Sequence, residues 1–376
     1  MRTYDIGFLG GGQLARMSVQ AAQRMGLKCL CLDPDPSAPA GQVTDLVTGA
    51  FNDMTAIVQI LGQCERVTLE NEFLPMVMLE NAAKSAGRTP EVYLPSPTTL
   101  GLINNKLVQR QRYAQFGVPS PRALPIGESW SESVEIGEVV SALGYPLVIK
   151  SAFGGYDGKG TRTVRNEQDF EEHRALWEKA RWFAEDFVPF KREVAVMVCR
   201  SQGQTVGFPT METVQTNHVC DLVFPANVDA SPIAVQAVEA VEGFGLFGVE
   251  LFELEDGSFQ VNEIATRPHN TGHYTLDWGG ISQFEAHVRL VLGLPIPDPK
   301  GQETCMANLL GIENAGDFRE GLRAAIEDDP GVHVHWYGKA EARPGRKMGH
   351  INAVGQGARE RALAARERFY AAWKAL

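Results

Sequence analysis

The sequence predicts an α/β and α+β protein, with a Rossmann-like doubly wound domain first and mixed strand-and-helix units after it. Three observations carry this. Residues 4–33 run as an apolar strand, the turn Gly10-Gly11-Gly12, a helix with apolar residues at helical spacing, and a second apolar strand ending in Asp33, which is the βαβ start of a parallel sheet. Leu147–Ile149 and Thr161–Val164 are strands joined by a glycine-rich loop and not by a helix. Asp256-Gly257 separates two apolar runs, and that dipeptide is preferred in a two-residue type I′ hairpin.

The elements follow in order. Tyr4–Leu9 is a short buried strand, Gln13–Met25 a helix ended by Gly26, and Leu27–Leu32 a strand. Val67–Leu69 delivers Glu70 and Glu72 to the carboxyl edge of the sheet, where such sheets bind ligands. The stretch LPSPTTLG at 94–101 is predicted as a linker. A helix spans about Asn104 to Phe116, stopped by Gly117, Pro119 and Pro121. Another runs from Ser131 to Leu143, broken by Gly144-Tyr145-Pro146 before the strand that ends at Lys150. A helix over 167–180, a strand over 182–188, a strand pair at 193–199 and 204–208, and a hairpin over 249–264 come next. After Pro295-Ile296-Pro297, short strands precede a C-terminal helix rich in Ala and Arg.

The 376 residues suffice for two or three domains, and 44% hydrophobic with 22% charged residues is ordinary for a globular protein. A net charge of −11 argues against a general nucleic-acid binder. Six cysteines without CxxC spacing suit free thiols in a reducing compartment. The N-terminus lacks the apolar run of a signal peptide, and no stretch approaches the roughly 20 apolar residues of a membrane span. A cytoplasmic protein is expected, with no membrane partner.

With Asp256-Gly257 as a two-residue turn, pairing runs Glu255 to Ser258, Phe252 to Val261 and Glu250 to Glu263. Two carboxylates facing each other on neighbouring strands repel, and a divalent cation between them removes the conflict. Few protein ligands suit Mg²⁺, which completes its shell with water and substrate phosphates. The plainer alternative is two solvated glutamates on an open strand. Asn262, Arg267, His269, Asn270 and His273 crowd the same segment, too polar a run for an ordinary strand exit.

Gly10-x-Gly12-x-x-Ala15, with Asp33 beyond it, is similar to a dinucleotide fingerprint. The turn equally suits any phosphorylated or ribosyl ligand at a helix N-terminus, or packing alone. The loop Gly154-Gly155-Tyr156-Asp157-Gly158-Lys159-Gly160-Thr161 is not a P-loop, because Phe153 stands at the first position and Gly160 follows the lysine. Between two strands it is a cover whose NH groups fold over phosphates. Lys150 before it and Lys106 on the preceding helix are compact cations suited to phosphate, although a lone lysine is more often a solvated charge. Glu185-Asp186-Phe187-Val188 offers backbone to an adenine edge, and Glu193 a carboxylate to ribose hydroxyls; an acidic edge strand is the alternative.

Taken in order, these pieces resemble the ATP-grasp enzymes over about residues 100–270. GGGQLARM, SAFGGYDGKGT, NEIATRPHNTGH, ISQFEAH and HWYGKAEARPGRKMGHIN extend the match over the whole chain, to the N5-carboxyaminoimidazole ribonucleotide synthase family. The resemblance implies a preATP-grasp domain at 1–100, ATP-grasp subdomains at 101–188 and 189–298, and a small C-terminal β-rich domain at 299–376. It implies a homodimer and a ligase that uses ATP and Mg²⁺ to join bicarbonate to 5-aminoimidazole ribonucleotide. In that reading ATP is held by Lys106, Lys150, residues 155–161 (Gly155, Tyr156, Asp157, Gly158, Lys159, Gly160, Thr161), Glu185, Asp186, Phe187, Val188, Glu193, Gln215, Asn262 and Glu263. Mg²⁺ falls to Glu250 and Glu263, and bicarbonate to Arg267, His269 and Asn270. Asp157 and Lys159 handle the amine proton or position bicarbonate. The ribonucleotide falls to Gly12, Gln13, Leu14, Asp33, Glu70, Glu72 and Tyr156, with Lys339, Arg346 and Lys347 on its phosphate; Lys347 also counts among the catalytic candidates. One departure stands out: PTMETVQTNHVC places Thr213 and Gln215 where the family has Asn-x-His, with His218 nearby. The alternatives are another ATP-grasp ligase using formate or a carboxylate, and more distantly an NAD-dependent oxidoreductase.

Overall fold

A computed structural model describes residues 2–127, 130, 136–155, 160–177 and 180–374. Among the described residues, three sheets organise the chain. The first is parallel, in the order 45–48, 29–33, 4–9, 64–69, 93–94. The carboxyl halves of its central strands, Ile6–Leu9 and Val67–Leu69, are buried because helices cover both faces. The second is a four-stranded antiparallel sheet in the order 123–126, 182–186, 147–151, 161–164. The third runs 259–265, 245–254, 190–200, 211–216, 219–225, 304–310, 347–354, 332–336, with 205–207 paired to Val198–Arg200 at the end of 190–200. The C-terminal strands therefore continue the large sheet through the contact of 219–225 with 304–310.

Helix Ser231–Ala240 lays Ala234, Ala237 and Val238 on Val194, Val196, Phe247 and Val249 of the large sheet. Each Val or Phe among them contributes about 1.5–3 kcal/mol on burial, and each Ala less. Helix Gln283–Val291 places Val288 and Val291 against Ile6, Phe8 and Val19, and Arg66 Nε donates to the Val291 oxygen at 3.1 Å. The first domain is thus packed onto the body, which fixes its carboxyl edge over the cleft.

Several expectations need correction. The stretch 94–101 is not a linker: after Leu94-Pro95, Ser96 accepts from the Thr99 NH at 3.1 Å and starts a helix at Pro97–Asn104. Ser at the N-cap and Pro at the first turn are a helix start signal. The helix over 167–180 is two short pieces, Glu167–Glu172 and Arg174–Trp177, and the strand over 182–188 ends at Asp186.

The hairpin is the instructive case. Glu250 does pair with Glu263, but Phe252 faces Gln260 and not Val261. Leu254 NH donates to the Ser258 oxygen, so the loop is the three residues Glu255-Asp256-Gly257, with Gly257 at φ +81° in the left-handed region. The register then shifts by one between Glu250 and Leu251, which face Glu263 and Val261. Asn262 is the extra residue of a β-bulge. Two one-residue departures cancel, and the bulge turns Asn262 and Glu263 to the same cleft.

Candidate active site

The carboxyl edge of the first sheet is acidic and tightly built. Gly11 NH donates to Asp33 Oδ2 at 2.7 Å, and Glu70 NH donates to the Leu9 oxygen at 2.9 Å. A Cβ at Gly12 would run into the Glu70 carboxylate, and one at Gly10 would stand 2.7 Å from it. Glycine here makes room for Glu70, which also accepts from the Leu14 backbone. Burial pushes the Glu70 carboxyl up, against the lowering effect of Arg267. A dinucleotide pyrophosphate at this helix N-terminus would meet that carboxylate, so the turn does not suit NAD. Glu72 is held by Arg267 Nη2 at 2.8 Å and spans from the first domain to the segment after the hairpin.

Across the cleft, Lys106 Nζ lies 3.1 Å from Glu263 Oε1. Asn105 caps this helix, accepting from the Leu107 and Val108 NH groups, so Lys106 projects from its first turn. Lys150 Nζ lies 2.5 Å from Glu185 Oε1 and 3.3 Å from Asn262 Oδ1. Glu185 is 3% exposed at its side chain and takes Arg110 Nε on its other oxygen at 2.9 Å. Burial opposes its charge, but Arg110 and Lys150 outweigh burial and hold the carboxyl below the usual range. Burial and the Arg110 charge lower Lys150 against the pull of Glu185. The Glu185 carboxylate therefore aims Lys150, with both of its oxygens taken. Arg110 was missed by sequence reading.

Glu250 faces Glu263 with Glu193 nearby; burial first, then these two charges, push its carboxyl up to about 8. A pair this overcharged fits a divalent cation, and two carboxylates suit Mg²⁺. Among the described residues, no group of three or more His, Cys, Asp or Glu is gathered as for another metal.

The segment 266–277 closes this end of the cleft. His269 Nε2 is 3.8 Å from Glu250 Oε1, but burial, then the Arg267 and Lys347 charges, push the imidazole down to about 3, so it is neutral at working pH. Asn270 is buried, and among the described residues its amide has no hydrogen-bond partner beyond a weak contact with the Cys220 thiol; a buried amide left this open is a place for a ligand. Gln283, from the ISQFEAH run, accepts from the His269 NH at 2.9 Å and donates to the His269 oxygen and to His273 Nδ1, each at 2.8 Å. It locks the segment's shape, a role sequence reading did not assign.

The basic run splits. Lys347 lies near enough to oppose the rise of Glu250 and add to the fall of His269, Lys339 near enough to oppose the rise of Glu70, and Arg346 near enough to add to the lowering of Asp35 that the Ser37 hydroxyl chiefly causes. Lys339 Nζ donates to the Lys347 oxygen at 2.6 Å, tying two of them together. Lys339 lines a cavity of about 610 Å³ together with Arg16, Gln42, Trp336 and Gly338.

Gln215 is a partly buried residue of strand Met211–Thr216, and His218 sits in the exposed turn beyond it at φ 63°, so His218 does not stand in for the family histidine. Asp186 is bound by Arg122 at 2.8 Å, Phe187 is exposed, and Val188 lies just past the strand. Gly155 is buried, and Gly160, at φ +82°, gives its oxygen to the Ser151 NH beside the Lys150–Thr161 pair. Tyr156, Asp157, Gly158 and Lys159 lie outside the described residues.

Three domain families match in order: a ribonucleotide synthetase preATP-grasp domain over 1–104, an ATP-grasp domain over 111–284, and a phosphoribosylaminoimidazole carboxylase C-terminal domain over 304–363. N5-carboxyaminoimidazole ribonucleotide synthase of Synechococcus elongatus is 37% identical, over 94% of this chain and 90% of its own. The chain belongs to the N5-carboxyaminoimidazole ribonucleotide synthase family. A phosphoribosylaminoimidazole carboxylase of Ogataea methanolica is 40% identical over 95% of this chain. The chain spans 64 to 67% of the length of that and three further fungal relatives. A solved N5-carboxyaminoimidazole ribonucleotide synthetase in complex with ADP is similar at TM-score 0.85 and 32% identity, covering 98% of this chain and 97% of its own. The Aspergillus clavatus synthase with ADP and 5-aminoimidazole ribonucleotide gives 0.86 and 34%, covering 99% and 98%. The α/β and ATP-grasp organisation expected for the family is the one found here.

Proposed function

We propose that the chain uses ATP to join bicarbonate to 5-aminoimidazole ribonucleotide, giving ADP, phosphate and N5-carboxyaminoimidazole ribonucleotide. The observation that carries this reading is the meeting of two chemistries at one hairpin. The carboxylate pair Glu250–Glu263 and the cations Lys106 and Lys150 suit a nucleotide triphosphate, and Arg267, neutral His269 and the open amide of Asn270 stand beside them.

Bicarbonate is a poor electrophile. In-line transfer of the γ-phosphoryl to one of its oxygens makes carboxyphosphate and ADP; attack of the amine on carboxyphosphate, or on the CO₂ it releases, then forms the carbamate as phosphate leaves and the amine gives up one proton. Arg267, held by Glu72, and Asn270 bind the bicarbonate oxygens. His269 donates or accepts without adding a charge. Lys106 and Lys150 take the phosphoryl oxygens as negative charge shifts to the leaving group. Glu250 and Glu263 would hold Mg²⁺, which offsets phosphate charge when bound. Lys339 and Arg346, over the Glu70 and Asp35 edge, hold the ribonucleotide phosphate. Asp157 and Lys159 remain the candidates for the amine proton.

We also propose a homodimer acting in the cytoplasm. All six cysteines are free and buried, which suits a reducing compartment, and no described helix is long and apolar enough to cross a membrane. ADP release measured with each substrate omitted in turn tests the reaction. Release should need both bicarbonate and the ribonucleotide; release that needs formate instead would assign a different ATP-grasp reaction.

A further inference from the structure

Lys106, Arg110 and Tyr113 lie along one face of helix Lys106–Phe116, at spacings of four and three. Lys106 reaches Glu263 directly. Arg110 is 4% exposed at its side chain and makes contacts of a different kind. Its Nε donates to Glu185 Oε2 at 2.9 Å, and its Nη2 donates to the backbone oxygen of Asn262 at 2.8 Å. Lys150 Nζ closes the circuit with Glu185 Oε1 at 2.5 Å and Asn262 Oδ1 at 3.3 Å. Arg110, Glu185, Lys150 and Asn262 thus form a ring that joins the helix, the four-stranded sheet and the bulged strand of the large sheet.

Buried ion pairs add little net stability, because desolvation of both charges offsets their attraction. What this ring adds is direction. A planar guanidinium with a fixed fork can hold two acceptors at a set angle, which an ammonium cannot. One acceptor is the carboxylate that aims Lys150. The other is the carbonyl of the bulge residue, whose position sets where Asn262 and Glu263 point. The ring contains two cations and one carboxylate, leaving an excess positive charge toward a phosphate.

We propose that Arg110 is a positioning residue for phosphoryl transfer: its grip on Glu185 and on the Asn262 carbonyl sets Lys150 and the Asn262–Glu263 bulge in the relative geometry the nucleotide requires. It touches neither nucleotide nor bicarbonate. The proposal rests on the ATP-dependent reading above.

The test compares Arg110→Lys and Arg110→Met with wild type in the full chain, by steady-state kinetics across pH 5.5–8. Arg110→Lys keeps the charge but cannot span both acceptors. It should keep the wild-type acid limb and lose about 10- to 100-fold in kcat, as small misplacements of reacting groups do. Arg110→Met leaves buried Glu185 with one cation, so protonation should disarm Lys150 and move the acid limb of kcat/KM for ATP up by about one pH unit or more. KM for the ribonucleotide should stay within about 2-fold in both, since among the described residues no hydrogen bond or ion pair joins the ring to Lys339, Arg346 or Glu70. Arg110→Lys at wild-type kcat, an unmoved acid limb in Arg110→Met, or equal rises in both KM values would overturn the proposal. If Arg110→Met does not fold, Arg110→Lys decides through kcat and the two KM values. Absence of ATP turnover in wild type is a separate outcome; it refutes the ATP-dependent reading, and the proposal with it.

Discussion

Binding of Mg²⁺ at the Glu250–Glu263 pair should release a proton near neutral pH. The cation needs both carboxylates ionised, and without it Glu250 is pushed up to about 8 by burial, Glu263 and Glu193. At that value Glu250 is about 9% ionised at pH 7 and about 90% at pH 9, so apparent Mg²⁺ affinity should rise about 10-fold, or about 1.4 kcal/mol, over that interval. The sign for stability is opposite to that of a salt-bridged carboxylate. The folded state holds the Glu250 proton more tightly than the unfolded chain, so metal-free stability should fall as pH rises from about 4.5 through 8. Calorimetric titration of Mg²⁺ into nucleotide-free protein at pH 7 and 9, in buffers of different ionisation enthalpy, reads the affinity and the proton count together. Glu250→Gln should abolish the proton release. Equal affinity at the two pH values, or proton release that survives in Glu250→Gln, would refute the paired-carboxylate argument.

Other expectations follow from the same geometry. Glu263→Gln should leave the protein folded, by circular dichroism, and abolish Mg²⁺-dependent ATP turnover. Lys339→Met should raise KM for the ribonucleotide several-fold above any change in KM for ATP, because Lys339 lies near Glu70 on the first-domain side. Gly12→Ala drives a Cβ into the Glu70 carboxylate; thermal unfolding should show a loss of about 1–3 kcal/mol, with a higher KM for the ribonucleotide.

The sequence was most readable where chemistry sits at the end of an element. Lys150 closes an apolar strand, Lys106 opens a capped helix, and Glu70 and Glu72 follow a buried strand, so each could be placed from its neighbours alone. The pairing of Glu250 with Glu263 was reached through two local errors that cancel: a type I′ turn where Gly257 supports a three-residue loop, and an unforeseen bulge at Asn262. A bulge leaves no mark in a seven-residue strand, because it is set by what its extra residue meets across the cleft. Arg110 was illegible for a related reason. It looks like one polar residue on a charged helix, and its partners stand 75 and 152 residues away. For Glu185 the sequence points to its backbone at the adenine edge; the enclosure of its carboxylate between Arg110 and Lys150 has no mark in the sequence. The prolines and hydroxyls of 94–101 are as frequent in linkers as at helix starts, and here Ser96 and Pro97 begin a helix.

Transfer of oxygen from bicarbonate tests the central chemistry most directly. If the γ-phosphoryl of ATP is passed to a bicarbonate oxygen, turnover with ¹⁸O-labelled bicarbonate must leave one labelled oxygen in the phosphate released. That single transfer, dependent on the ribonucleotide and lost in Glu263→Gln, is the result expected. Phosphate formed at wild-type rate without any label would mean that water attacks ATP directly, and would contradict the account.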